Sequence, residues 1–195
     1  MNHSIRPATT EDLDDAAGLL AAAFHDYPWT RWSIPAEGYS ERLEELQRLY
    51  LAHALDHGLV LVESQLRAVA AFLPPNAPAP TEAIQERVGE LLGERLALLA
   101  QLSLPAAADG AWTLETVGVD PADQGAGLGT AVIAAGLELI DERSSGTAGV
   151  ALQTSATSNE RLYQRLGFTT AAATANPSGP VVYSMARAAA RAGHS

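Results

Sequence analysis

The sequence predicts a single α/β domain of the α+β kind: a central mixed, mostly antiparallel twisted sheet flanked by helices. Apolar residues recur at helical spacing in some segments and form short strand-like runs in others. The strand patterns come singly and in hairpins among the helices, which requires mixed rather than purely parallel pairing. The chain has 195 residues, 47% of them hydrophobic, which suits one domain with a full core.

Ser4 to Ala8 reads as a short first strand, after which Thr9 or Thr10 caps a helix with Glu11 and Asp12 in its first turn. Leu13, Ala16, Ala17, Leu20 and Phe24 form the apolar stripe of that helix. The aromatic segment Asp26 to Trp32 breaks it. Ser40 starts a second helix with Leu43, Leu46, Leu49 and Tyr50 as the buried stripe, and Gly58 ends it. Leu59 to Glu63 and Leu66 to Leu73 read as a hairpin turning near Ser64-Gln65. The proline-rich Pro74 to Pro80 is a stiff connector within the domain. Thr81 caps a helix running to about Gln101. Trp112 to Val119 is a strand, Asp120 to Gly127 a loop, Leu128 to about Glu142 a helix, and Val150 to Ser155 a strand. Ser158 caps a helix over Asn159 to Leu166 that stops at Gly167. Phe168 to Thr174 and Val181 to Met185 close the sheet. The domain covers residues 1–195, with 188–195 expected as a flexible tail.

The formal net charge of −11 argues against nucleic acid as the main partner, because phosphate binding needs a basic face. The absence of cysteine excludes disulfides, thiolate metal sites and a cysteine nucleophile. His25, His53 and His57 have no metal-ligand spacing, so no metal is expected. No apolar signal core opens the chain and no apolar run reaches spanning length, so the expectation is a cytoplasmic protein without a membrane partner, as a monomer or homodimer.

The chemistry is concentrated in Gln124-Gly125-Ala126-Gly127-Leu128-Gly129, between a strand and a helix. Glycines let the backbone approach a ligand and take positive φ. The N–H groups of Gly125 to Thr130, with the helix dipole behind them, form a pyrophosphate cradle that needs no lysine. A P-loop would require Lys-Ser or Lys-Thr after the last glycine, where Thr130-Ala131 stands. A dinucleotide fold would place the loop near the chain start in a strand-helix-strand unit.

With the strand end Val117-Gly118-Val119-Asp120-Pro121, with Asn159 and Tyr163, and with Leu166-Gly167-Phe168, the sequence resembles the GNAT acetyltransferase superfamily. Within it, the chain is similar to the puromycin-acetylating enzymes, through Leu20 to Arg31, Glu41 to Gln47, Thr116 to Val119 and Arg165 to Thr169. The resemblance implies acetyl-CoA as cosubstrate. Val117, Gly118 and Val119 would pair with the pantetheine arm like an added strand. Gln124, Gly125, Ala126, Gly127, Leu128, Gly129 and Thr130 would cradle the pyrophosphate, Asn159 would hold the cofactor arm, and Tyr163 would protonate the departing sulfur.

Three positions depart from those relatives. Gln153 stands where they carry a glutamate, so it contacts the acceptor without taking a proton. Glu115 stands where they have alanine and becomes the candidate general base; the alternative is that no strong base is used. Alternation along the strand puts Thr113, Glu115 and Val117 on one face. Ala126 replaces a loop lysine, which leaves the cradle to backbone N–H groups. The acceptor pocket is expected from Asp26, Tyr27, Trp29, Arg31, Trp32 and Gln153, with aromatics to stack on a flat group. The implied acceptor is the primary amine of a small molecule such as a puromycin-like aminonucleoside. An α-amine suits a weak base better than a lysine amine, since its pKa lies near 7.7–8.0 rather than about 10.4. The alternatives are a peptide or protein α-amine, and a non-catalytic acetyl-CoA-binding module.

Overall fold

The computed structural model describes residues 3–190. The strands are β1 (Ile5–Pro7), β2 (Leu59–Glu63), β3 (Ala68–Leu73), β4 (Trp112–Val119), β5 (Val150–Thr154), β6 (Thr169–Thr174) and β7 (Val182–Arg187). The helices are α1 (Leu13–Phe24), α2 (Pro28–Ser33), α3 (Tyr39–His57), α4 (Glu82–Leu92), α5 (Arg95–Leu99), α6 (Leu128–Arg143) and α7 (Thr157–Arg165), with short 3-10 turns at Thr10–Asp12 and Pro121–Asp123. The strands form one seven-stranded sheet in the order β1-β2-β3-β4-β5-β7-β6. Only β4 and β5 pair in parallel. The fold is thus the mixed, mostly antiparallel sheet with flanking helices that the pattern predicts.

Alternation on the central strands assigns the two faces. Leu59, Leu61, Ala68, Ala70 and Phe72 pack with Leu128, Val132, Ile133, Leu137 and Ile140 of α6. Val60, Val62, Val69 and Ala71 pack with Ala16, Ala17, Leu19 and Leu20 of α1 and with Leu51 and Ala54 of α3. Both faces of β2 and β3 are therefore buried, which explains why these strands read as continuous apolar runs. A third cluster joins Ile34, Tyr39, Leu43, Leu46, Leu91 and Leu92, fixing α4 across α3.

The structure corrects several expected elements. The aromatic segment contains the short helix α2, with Pro28 at its first turn, where a missing N–H costs nothing. The helix from Thr81 stops at Leu92, where Gly93 takes a φ of 52°, and a separate α5 follows. On α3, Leu43 and Leu46 are buried while Tyr50 is 45% exposed. The last helix begins at Thr157 rather than Asn159. Ala188 to Ala190 carry no regular secondary structure, and the rest of the expected tail lies outside the described residues.

Candidate active site

β4 pairs with β3 along its whole length but with β5 only through Trp112–Val150, Thr113–Ala151 and Leu114–Leu152. Beyond Leu114 the two parallel strands make no further pairs. The parting coincides with a bulge: Ala71 pairs with Thr116 and Phe72 with Leu114, leaving Glu115 as the extra residue. The extra residue reverses the parity of the strand. Leu114 belongs to the α6 core, and after the bulge Val117 and Val119 pack against that same core. Gly118 turns to α1, where an added Cβ would meet Leu20 Cδ2 at 2.7 Å. The expected grouping of Thr113, Glu115 and Val117 on one face therefore fails, because alternation assumes an unbroken ladder.

Two cavities open around the parted strands. One, of 360 Å³, lies between β4, β5, α2 and α3. The other, a groove of 810 Å³, runs from the end of β4 to the start of α6 and along α7. Phe24, Tyr27, Val117, Asn159 and Tyr163 line both, so the cavities meet at these side chains.

The groove carries backbone donors along one wall. Val117, Gly118, Val119, Gln124, Gly125, Gly127, Leu128, Gly129 and Thr130 line one wall. Gly125 and Gly127 have φ of 85° and 82°, a conformation that favours glycine, and Gly127 caps α6. The N–H groups of Gly125, Gly127, Leu128, Gly129 and Thr130 have no acceptor among the described residues. They stand at the positive end of the α6 dipole, so the donor set fits a pyrophosphate. The loop is anchored from behind. Arg67 bonds Glu63 of β2 at 3.0 Å and reaches Asp123 at 3.5 Å, while the Asp120 N–H donates to the Arg67 carbonyl at 2.8 Å. The Arg67 guanidinium holds the buried Glu63 carboxyl down at about 2. Ala126 does not line the groove; its carbonyl accepts from His3 Nε2 at 3.2 Å.

Opposite that loop, α7 contributes Ser158, Asn159, Leu162, Tyr163 and Arg165. Arg165 is exposed and has no ion-pair partner among the described residues, so it offers the groove a free cation. Sequence reading did not single it out, although it lies six residues beyond Asn159, on the same helix.

Of the residues expected at the acceptor pocket, Tyr27, Trp29 and Gln153 line the smaller cavity, as does Glu115. The Tyr27 hydroxyl shares a hydrogen bond with the Thr154 hydroxyl at 2.9 Å and accepts the Ser155 N–H at 2.8 Å, fastening the end of β5 to the loop before α2. Asp26 lines the groove instead, and its exposed carboxylate pairs with Arg31 and His25, each at 3.1 Å. Arg31 lies over the Tyr39 ring at 4.2 Å and lines neither cavity. Trp32 is also outside both: it packs on Trp29 with ring centroids 5.1 Å apart and presses on Gly179. Gln47, Tyr50 and Ser155 complete the cavity wall and were not expected there. The α3 stripe holds the signal for two of them, because Leu43, Leu46, Gln47 and Tyr50 follow i, i+3, i+4, i+7 spacing.

Two ionisable groups of the site are shifted by burial. Glu115 is surface-accessible but hemmed in by cavity walls, and desolvation pushes its carboxyl above the usual carboxylate range. It has no hydrogen-bond or ion-pair partner among the described residues, so its lone pairs are free. Tyr163 is buried against Phe168, and desolvation, with a smaller contribution from Tyr27, pushes its hydroxyl well above the usual phenol range. Tyr163 thus keeps its proton at neutral pH, at the junction of groove and cavity. A carboxylate on one side of the junction and a protonated phenol on it can remove one proton from an incoming nucleophile and return another to a leaving group.

Residues 22–168 match the acetyltransferase (GNAT) family. The chain belongs to that family. It is an acetyl-CoA-dependent N-acetyltransferase, and the groove with its glycine loop is the place where the chain's own residues suit that cosubstrate. Solved structures share the fold. The histone acetyltransferase HPA2 and related acetyltransferase from Corynebacterium glutamicum is 22% identical over 97% of this chain and 98% of that one, with a TM-score of 0.74. Arylalkylamine N-acetyltransferase 2 from Aedes aegypti is 17% identical over 96% and 99%, with a TM-score of 0.69. The ribosomal-protein-S18-alanine N-acetyltransferase from Escherichia coli is 19% identical over 99% and 97%, with a TM-score of 0.60.

Proposed function

We propose that this acetyltransferase acetylates the primary amine of a small molecule with a flat apolar body, and that a puromycin-like aminonucleoside is the acceptor to try first. One observation carries the reading. The smaller cavity is only 360 Å³ in volume, is walled mainly by apolar and aromatic side chains such as Phe24, Tyr27 and Trp29, and meets the cofactor groove at Tyr163. Such a pocket takes a compact amine and positions it by burial and stacking.

In the proposed reaction Glu115 takes the proton of the acceptor ammonium, directly or through water. The amine nitrogen then attacks the thioester carbon, and backbone N–H groups on the edge of β4 that β5 leaves free stabilise the oxyanion. The carbon–sulfur bond breaks as Tyr163 delivers its proton to the sulfur, and the second proton that the nitrogen sheds in becoming an amide returns through water to the Tyr163 phenolate. Val117, Gly118 and Val119 hold the pantetheine arm, Asn159 steadies it, and the loop from Gln124 to Thr130 holds the pyrophosphate with Arg165 as a counter-charge. Gln153 contacts the acceptor without acid-base duty.

A second reading, a peptide α-amine, draws on a further groove of 830 Å³ between α3, α4 and the proline-rich connector. It shares Tyr50 and Glu115 with the smaller cavity and has room for the rest of an extended acceptor. An assay of thiol release from acetyl-CoA over small amines, aminonucleosides and short peptides separates the two. Turnover restricted to peptides refutes the small-amine reading; turnover of aryl amines without puromycin retracts only the aminonucleoside.

A further inference from the structure

We propose that Gln47 recognises a hydrogen-bond donor on the body of the acceptor, so that the preferred substrates are amines whose apolar or aromatic frame carries a hydroxyl or N–H group remote from the reacting nitrogen. This rests on the small-amine reading and narrows it. Gln47 stands on the α3 stripe that walls the acceptor cavity, between Leu46 and Tyr50. Its neighbours on that stripe, Leu43 and Leu46, are core leucines. Gln47 itself is only 7% exposed, and its Oε1 has no hydrogen-bond partner among the described residues.

A buried amide oxygen without a donor destabilises a fold, whereas an apolar side chain of the same size at this position would not. Donors on the surrounding wall, those of Ser33, Tyr50, Thr116 and Gln153 among them, make no hydrogen bond to it. Leu114, Leu152 and Val182 are apolar, and Glu115 is an acceptor while it serves as the base. Tyr27 has its hydroxyl engaged with Thr154 and Ser155. Ser155 Oγ, the other wholly buried oxygen on this cavity without a partner among the described residues, is a hydroxyl that turns to donate or accept. A carbonyl oxygen can only accept, so the partner that Gln47 lacks is a donor, and the cavity is the space from which a donor can arrive. A site with such a group discriminates against ligands that leave it unpaired far more sharply than an apolar wall discriminates by size.

The test uses the full chain, acetyl-CoA and matched amines that differ by one donor: 4-hydroxyphenethylamine against 4-methoxyphenethylamine, and puromycin against its ribose O-methylated form. The wild type is expected to favour the donor-bearing member about tenfold or more in kcat/KM, chiefly through KM. Gln47→Met, which keeps the volume, is expected to bring the ratio to about one and to hold or raise Tm. Gln47→Leu is expected to do the same. An unaltered ratio in both variants, as when water serves the amide, overturns the assignment. So does a wild-type preference for the methylated member, or an equal loss for both members with a lowered Tm, which marks a structural role. If the wild type turns over none of these amines, both this inference and the small-amine reading fail; turnover with an unaltered ratio removes Gln47 alone.

Discussion

Tyr163→Phe is the sharpest test of the acid half of the reaction. The substitution removes one oxygen and leaves the ring, which packs edge-on to Phe168 at 5.9 Å. The hydroxyl has no hydrogen-bond partner among the described residues, so its loss breaks no contact within the fold. Removing an unpaired hydroxyl from a buried site is close to neutral or slightly stabilising. Tm and the acetyl-CoA Kd are therefore expected to stay near their wild-type values. The catalytic term is different in size. A positioned general acid contributes about 10²- to 10⁴-fold, or about 3–5 kcal/mol of transition-state stabilisation. Because the proton moves only as the sulfur departs, kcat and kcat/KM should fall together. The raised phenol predicts that no alkaline decline traceable to this residue is seen below about pH 10. Thiol release as a function of pH, with calorimetric Tm and cofactor titration on the same protein, measures all three. A kcat within threefold of wild type refutes the acid role, and a parallel fall in Tm would assign the loss to packing.

Glu115→Gln should lower kcat/KM by about ten- to a hundredfold near neutral pH and abolish the acidic limb of its pH profile, a limb that lies above the usual carboxylate range because the Glu115 pKa is raised. The same raised pKa means that folding disfavours the charged form, so stability is lost as pH rises through it; Glu115→Gln should thus raise Tm at pH 7 but not at pH 4. An unchanged pH–rate profile removes Glu115 from the base role. Arg165→Ala should weaken acetyl-CoA binding and flatten its salt dependence, whereas Ala126→Lys should tighten binding about two- to fivefold at low salt and steepen that dependence, as titrations at two ionic strengths would show. Gly136→Ala would drive a Cβ into the ring of the wholly buried Phe72. Overpacking of this kind costs about 1–3 kcal/mol, or roughly 2–10 °C in Tm for a domain of this size, and an unchanged Tm would mean the α6–β3 contact yields freely.

The strands were legible where turn residues bound them. β2 and β4 occupy the segments that the pattern marks, because Gly58 ends the preceding helix and Asp120-Pro121 ends the strand. The glycine loop was legible as well, since its φ values and helix cap are written in residue types. The break at Gly93 was not, because a glycine inside a helical pattern is often tolerated and its φ of 52° shows only in the folded chain. Trp29 and Trp32 look alike in sequence, yet one lines the cavity and the other presses on Gly179, a neighbour supplied by the far end of the chain. Gln47 was hidden for the opposite reason: in a leucine stripe, one polar residue reads as a lapse in the pattern. The bulge at Glu115 carried no mark, since an extra residue shows only against its partner strand.

That extra residue makes β4 two half-strands in opposite phase. Substitutions along it must be interpreted with their sense inverted after Thr116: a polar group at residue 113 probes the α3 side, and the same group at residue 117 enters the α6 core. Deleting Glu115 would restore an even ladder with β3 and leave Val117 and Val119 opposite Ala70 and Ala68, on the α6 face. The irregularity is therefore not something the packing of α6 demands; it adds one carboxylate to the backbone where β4 and β5 part, and could be removed without wetting the interior.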